Sequence, residues 1–439
     1  MAARILILGG GFAGLGTARK LERLLRPEEA TITLVSRENF SLFTPMLPEV
    51  GSVNLETRHV VTPVRAQLRR AAFVLGEVRS VDVGARAVDV VHPLTGTHLA
   101  LSYDHLVIAL GAISSTFGLP GIAERSLAYK TLEDADRLRN HVIAALETAA
   151  VTTDPAERKR LLTFVFVGGG FTGVEAAGEM GDFFRSSLRF YRTLAPAEVR
   201  IVLIEGGKKL LPELQAGMGE YSAKALARRG IEVMLETMVA GAGERGLQLK
   251  DGRTIETKTI VWSAGVRPSP IVAEAGLASG RAGSIAVRED FSVEGMPGVW
   301  AIGDCASIPM PDGSRAPATA QHALREGPLL ARNIAATLRA QPTAAFRYTA
   351  IGMMASLGAR RGVAGLFGRY LITGFPAWLI WRTYYLLRLP GLDRKVRVAL
   401  DWTLGLIFPR DIAELRVDER SPDVQEMAEA QNPVGTCDS

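Results

Sequence analysis

"ILILGGGFAGLGTARKL" at residues 5–21 and "FVFVGGGFTGVEAAGEM" at residues 164–180 write nearly the same phrase twice in one chain. Each copy opens with four β-prone residues, runs into G-G-G-F and continues into an Ala-rich stretch of helix formers. That order predicts a buried strand, a tight glycine turn and a helix N-terminus. The spacing G-x-G-x-x-G is met by Gly9, Gly11 and Gly14, and again by Gly168, Gly170 and Gly173. The first glycine permits the turn, the second lets backbone approach a pyrophosphate, and the third allows close strand–helix packing; the helix N-terminus then faces the phosphate charge. One such motif is a weak signal. Two in matching contexts predict two dinucleotide sites, the alternative being an old duplication retained as scaffold.

Working outward, 439 residues leave room for two or three domains. The chain is 47% hydrophobic, with a mean hydropathy of +0.15, yet has no uncharged apolar run of the length a membrane span needs. No transmembrane helix is expected, and the N-terminus reads as the first strand of a fold rather than a signal peptide. Cys305 and Cys437 are the two cysteines. They form no C-x-x-C, no metal site is expected, and a reducing cytoplasmic setting is the plain reading. The net charge of +5 does not suggest nucleic acid, but its location matters. Residues 366–416 hold eight Arg/Lys against four acids, together with three of the five tryptophans.

The order of segments predicts an α/β fold of two Rossmann-like domains, one inserted in the other. Residues 1–118 read as the first part of one nucleotide domain and 119–290 as the second domain. Residues 291–345 complete the first, 346–416 form a basic, aromatic C-terminal segment, and 417–439 are expected to be a disordered tail.

The motifs "GGGFAGL", "NFSLFTPMLPEV", "GGGFTGVEAAGE", "WSAGVRP", "AIGDCA", "TAQHALREG" and "AWLIWRTYYLLRLPG" together resemble those of the type II NADH dehydrogenases. These are single-subunit NADH:quinone oxidoreductases within the FAD-dependent pyridine nucleotide oxidoreductase superfamily. The resemblance covers roughly residues 3–410. It implies FAD on the first unit, at Gly9, Gly11, Phe12, Ala13, Gly14, Ser36 and Arg37. It implies NADH on the second, at Gly168, Gly170, Gly173, Glu205 and Gly265. With no cysteine before residue 305, the redox disulfide of glutathione-reductase-like enzymes is excluded, and two cysteines are too few for sulfide:quinone chemistry.

Individual residues carry a functional and a plain reading side by side. Asp304, at the Gly-Asp turn, is implied to bind the FAD ribityl chain; the alternative is an Asx turn. Glu205 ends the strand after the second glycine motif, where an acid accepts from ribose hydroxyls and repels a 2′-phosphate, favouring NADH. A solvated loop acid is the alternative. The corresponding place in the first unit is Ser36–Arg37, which departs from the usual acid. Glu175, in the first turn of the second helix, is implied to be catalytic, although a helix dipole alone explains a carboxylate there. Ala320 and Gln321 begin a helix that is implied to meet the flavin's pyrimidine end, or Gln321 merely caps it. The family pattern Ala-Gln-x-x-x-Gln marks a quinone pocket; here Arg325 replaces the second Gln. Arg388 is implied to lie near the isoalloxazine, with a lipid phosphate as the other reading.

Residues 376–389 read as a helix with Trp378, Trp381, Tyr385 and Leu389 along one stripe, and Val396, Leu400, Thr403 and Ile407 as the face of a second helix. Short helices edged by Trp, Tyr and Arg fit the membrane interface, with a dimer interface or a lid over the flavin domain as alternatives. The expectation is therefore a peripheral flavoprotein on the cytoplasmic face of the cell membrane. It would move a hydride from NADH to FAD and two electrons to a quinone, without proton pumping; a homodimer is left open. The rivals are a soluble NAD(P)H-dependent FAD reductase and a redox-responsive nucleotide-binding protein.

Overall fold

The structure, a computed structural model, describes residues 2–350 and 352–414. The expected tail at 417–439 lies outside the described residues. Each repeated phrase forms the middle of a five-stranded, all-parallel sheet. The first runs Val299–Ala301, His105–Ile108, Ala3–Leu8, Ala30–Ser36, Ala72–Leu75. The second runs Leu127–Ala128, Thr259–Trp262, Thr163–Val167, Arg200–Ile204, Ile231–Met234. The middle strands carry the apolar runs Ile5 to Leu8 and Phe164 to Val167 because both of their faces are covered there, as in parallel sheets generally. On one side of Ala3–Leu8 lies the next strand in the chain; on the other lies His105–Ile108, from much later. The glycine turn therefore sits where the strand order reverses, the crevice in which such sheets bind ligands.

The first sheet takes its outermost strand, Val299–Ala301, from beyond the second sheet, so the second unit is inserted in the first. The two passages between units pair with each other as antiparallel strands, Ala112–Ser114 with Val266–Pro268. The return comes earlier than residue 291. Val272, Leu277, Ile285 and Val287 already pack into the first core, because the chain re-enters that core directly after the paired crossing.

The C-terminal segment folds as three antiparallel strands, Gly352–Ser356, Gly362–Leu366 and Tyr370–Thr373, then two helices, Gly374–Arg388 and Leu392–Leu404. It docks across both units, sharing a core with Phe43 and Val50 of the first and with Phe164, Val174 and Met180 of the second. This corrects the tryptophan reading: Trp378, Trp381, Trp402 and Leu389 are all buried against the protein. The exposed faces carry Phe375, Leu379, Leu387, Leu392, Val396, Leu400 and Leu404, and Ile407 and Phe408 continue past the second helix. Among the described residues no helix is long and apolar enough to cross a membrane.

Candidate active site

The two glycine turns are built alike. Gly9 has φ +111°, and a Cβ there would lie 2.1 Å from the Ala109 carbonyl oxygen; one on Gly14 would lie 2.0 Å from that of Gly9. In the second turn Gly168 has φ +116°, and a Cβ on Gly173 would lie 1.9 Å from the Gly168 oxygen. The middle glycines behave differently. Gly11 and Gly170 precede the helices Phe12–Leu24 and Phe171–Ser187 in ordinary extended backbone, φ −73° and −74°. A Cβ on either would meet nothing within 4 Å. Neither backbone strain nor packing in this chain requires glycine there, so each turn leaves open space in front of a helix N-terminus. That space fits a pyrophosphate, and the residues present fit a dinucleotide in both units.

Around the first turn, Ser36 stands directly over the loop, its Oγ 2.7 Å from where a Gly10 Cβ would be. Arg37 is exposed and pairs with Glu38 at 3.5 Å. Ala13 is buried where its helix meets Gly327 of the helix Ala320–Leu338, and Phe12 stacks edge-on with Phe43. Around the second turn, Glu205 is more than a solvated acid. Its Oε2 accepts from the Gly169 N–H and its Oε1 from the Gly207 N–H, both at 2.6 Å. An ionised carboxylate has lone pairs left for ribose hydroxyls after both bonds. Gly265, φ +78°, lies on the returning passage, one residue from Ala264, whose nitrogen abuts Gly168. A side chain on Gly265 would strike the Phe117 ring.

Asp304 sits in the short turn Gly303–Cys305, with Lys130 from the second unit 3.8 Å from its Oδ2. Burial lowers the Lys130 pKa, and Asp304 opposes that shift. Sequence reasoning missed Glu326, whose Oε2 accepts from the Gly303 N–H at 2.7 Å. Burial pushes its pKa up to about 7. The Cys305 thiol, buried and pushed up to about 12, is not a nucleophile. Gln321 does not simply cap its helix; Thr319 does that, accepting from the His322 N–H. The Gln321 amide is held at both ends, donating to the Gly352 carbonyl and accepting from the Tyr348 hydroxyl. Arg325 donates to the Gln321 carbonyl oxygen at 2.8 Å and stacks on Tyr348 at 4.1 Å. Arg388 is exposed, its guanidinium 5.4 Å from the Tyr384 ring centre, and its charge reaches Tyr348. The charges of both arginines therefore act on Tyr348, although no bond joins them.

Glu175 is 7% exposed. Its Oε1 accepts from the Ser356 N–H at 2.8 Å and from the Trp381 indole N–H at 2.9 Å. Burial, reinforced by Glu179 and Glu49 and opposed by those two bonds, pushes its pKa up to about 8. At neutral pH this carboxyl holds a proton. A line of rings connects it to the first glycine turn: Trp381 to Tyr385 at 4.9 Å, Tyr385 to Phe43 at 5.9 Å, and Phe43 to Phe12 at 5.9 Å.

Two further buried carboxylates were missed. Glu49 accepts from the Trp402 indole at 2.9 Å, from Arg382 at 3.1 Å and from Asn54 at 2.9 Å. Arg382 is itself sandwiched between Trp378 and Trp402, at 4.1 and 4.5 Å. Glu179 accepts from Arg410 at 2.8 Å; burial raises its pKa and the arginine opposes that. The only sequence signal was a glutamate inside otherwise apolar runs. Apart from Asn54, the partners of Glu49 and Glu179, 177 to 353 residues away, lie in the C-terminal segment.

Comparison with known proteins fits this geometry. Residues 3–327 match the family described as pyridine nucleotide-disulphide oxidoreductase. A type II NADH:quinone oxidoreductase of Mycobacterium tuberculosis is 33% identical over 422 residues, 93% of this chain and 89% of that protein. One from Staphylococcus saprophyticus is 30% identical over 83% of this chain and 90% of its own. The solved structure of NDH2 from Plasmodium falciparum in complex with NADH superposes with a TM-score of 0.86 at 20% identity, covering 94% of this chain and 100% of that one.

Proposed function

The chain belongs to the pyridine nucleotide-disulphide oxidoreductase family, among its type II NADH:quinone oxidoreductases, and from that premise we propose how its own residues divide the work. The reaction is oxidation of NADH and two-electron reduction of a quinone through a flavin. The chemistry supplied by a bound flavin is acceptance of a hydride from the nicotinamide and delivery of electrons to the quinone.

The flavin is FAD, with its pyrophosphate at Gly11 and Ser36 and Arg37 toward its adenosine end. The observation that carries this is the matched pair of open glycine turns, each a dinucleotide cradle rather than a mononucleotide one. NADH lies on the second turn, where Glu205 both shapes the loop and repels a 2′-phosphate. Asp304, Lys130 and the start of the helix at Ala320 and Gln321 hold the flavin's polar middle and ring end. Glu175 carries the proton that quinone reduction consumes. Arg325 and Arg388 stand at the acceptor's mouth, where a cation favours negative charge on the reduced acceptor. The exposed apolar faces of the last two helices rest on the cytoplasmic face of the membrane, where a long-tailed quinone is dissolved.

The test is steady-state turnover of detergent-purified protein. Released cofactor should be FAD, NADH should be used in preference to NADPH, and quinone should accept the electrons. Glu205→Ala should raise KM for NADH about ten-fold or more, since it removes two charge-assisted bonds from the loop, and should narrow the preference. Equal use of both nucleotides by the unaltered protein would overturn the role given to Glu205.

A further inference from the structure

A cleft of about 460 Å³ opens where the helix Leu392–Leu404 meets the first unit, lined by Asn39, Glu56, Arg58, His59, Arg394 and Arg397 with Phe40, Val61 and Pro63. None of the glycine-turn residues, nor Ser36 or Arg37, lines it. Three arginines face one acid in this lining. His59 is occupied, its Nδ1 2.6 Å from Asp401. Arg394 has a buried Nε without a hydrogen-bond partner and only a loose, 3.5 Å pairing with the exposed Asp393. Arg58 and Arg397 are exposed and make no ion pair in the described structure. Two unpaired guanidinium groups and a third that is only loosely paired, lining one cleft, are a site for an oxyanion with several acceptor oxygens, because the planar fork donates to two of them at once.

The position of the cleft narrows the ligand. At 100° per residue, Leu392, Val396, Leu400 and Leu404 form the exposed apolar face of the helix, while Val398 and Trp402 form the buried seam. Arg394, Arg397 and Asp401 lie between the two. On a helix lying in a membrane interface, residues on that flank are level with the phosphates when the apolar face is in the acyl boundary. We propose that this cleft binds a phosphate group, Arg58 and Arg397 gripping its oxygens with Arg394 behind them. It lies where an anionic phospholipid headgroup presents that phosphate. The lipid source rests on the membrane-surface reading above; the phosphate site does not.

The experiment uses the full chain loaded with flavin and saturated with NAD+, so that neither nucleotide site is free for phosphate. One arm measures flotation with vesicles of phosphatidylcholine alone and with about one-third phosphatidylglycerol. The other titrates the detergent-purified protein with inorganic phosphate. R58A/R397A should weaken binding to the anionic vesicles by about five-fold per arginine removed, and should abolish phosphate binding. R369A serves as control, removing a basic group that stacks on exposed Tyr370 outside the cleft. Equal weakening by R369A, with no phosphate binding by the unaltered protein, would overturn the site while leaving membrane association standing. Phosphate binding lost in R58A/R397A, by a chain that stays off both vesicles, would support the site with a free phosphate as its ligand and would remove the membrane reading.

Discussion

At Gly11 and Gly170 nothing in the protein itself requires the side chain to be missing. Both residues have extended backbone and empty space before them, so alanine costs the fold little at either place. Gly11→Ala should purify with little flavin and melt near the flavin-stripped parent; Gly170→Ala should keep its flavin and lose reduction by NADH. Absorbance of the purified proteins and anaerobic titration with NADH distinguish the two. Loss of cooperative melting in either variant would return that glycine to a packing role. Glu175 makes a second prediction. Its folded pKa of about 8 stands above the ordinary glutamate value of 4.5, so the folded chain binds a proton the unfolded chain releases. The stability from that proton is complete below about pH 4.5 and is lost as pH rises through 8. Glu175→Gln keeps an oxygen for Ser356 and Trp381 and has nothing to titrate. Its melting temperature should fall less than the parent's between about pH 6 and pH 9, while its turnover with quinone drops and its flavin content holds. The role of Glu175 was implied by its motif, but its protonation was not, because the burial that raises its pKa is completed by the C-terminal segment, distant in sequence, against the opposing bonds from Ser356 and Trp381.

The two last helices show what an apolar pattern does and does not reveal. Periodicity identified the stripe of Trp378, Trp381 and Leu389, since residues three and four apart share a face. It does not say whether protein or lipid covers that face. The tryptophans turned inward because their N–H groups have buried carboxylates to meet, Trp381 with Glu175 and Trp402 with Glu49. An indole buried without such a partner would carry a desolvation cost. The face left outside is aliphatic, and it supplies the element-scale prediction. Replacing Leu392, Val396, Leu400 and Leu404 together by Gln changes side chains that are all more than half exposed. It should leave melting temperature and NADH oxidation with a small soluble acceptor within about two-fold of the parent, surface changes away from buried features being near neutral. Vesicle flotation and turnover with a long-tailed quinone should both collapse. Persistent flotation would show that another surface meets the membrane.

Across the whole molecule, the repeated phrases made the two nucleotide sheets and their nesting legible, because a glycine turn between a strand and a helix is a local event. The buried carboxylates were not legible, since Glu49 meets Trp402 across 353 residues of chain. Removing residues from 366 onward would strip Trp381, Arg382, Trp402 and Arg410 from Glu175, Glu49 and Glu179. Breaking even one buried charged pair costs about 3–5 kcal/mol, against a total domain stability of about 5–15 kcal/mol. The shortened chain should fail to give a cooperative melt and should lose its flavin; a soluble, yellow truncation would show that the segment is an appendage. The same dependence bears on how the protein is made. Glu49 leaves the ribosome well before Trp402 and Arg410, so every nascent chain carries an unfinished junction until those residues have emerged. A prematurely terminated product retains both glycine turns and exposes acidic, half-built surface beside them. Its Glu49, Glu175 and Glu179 carboxyls, without their C-terminal partners, are the physical difference between it and the finished fold.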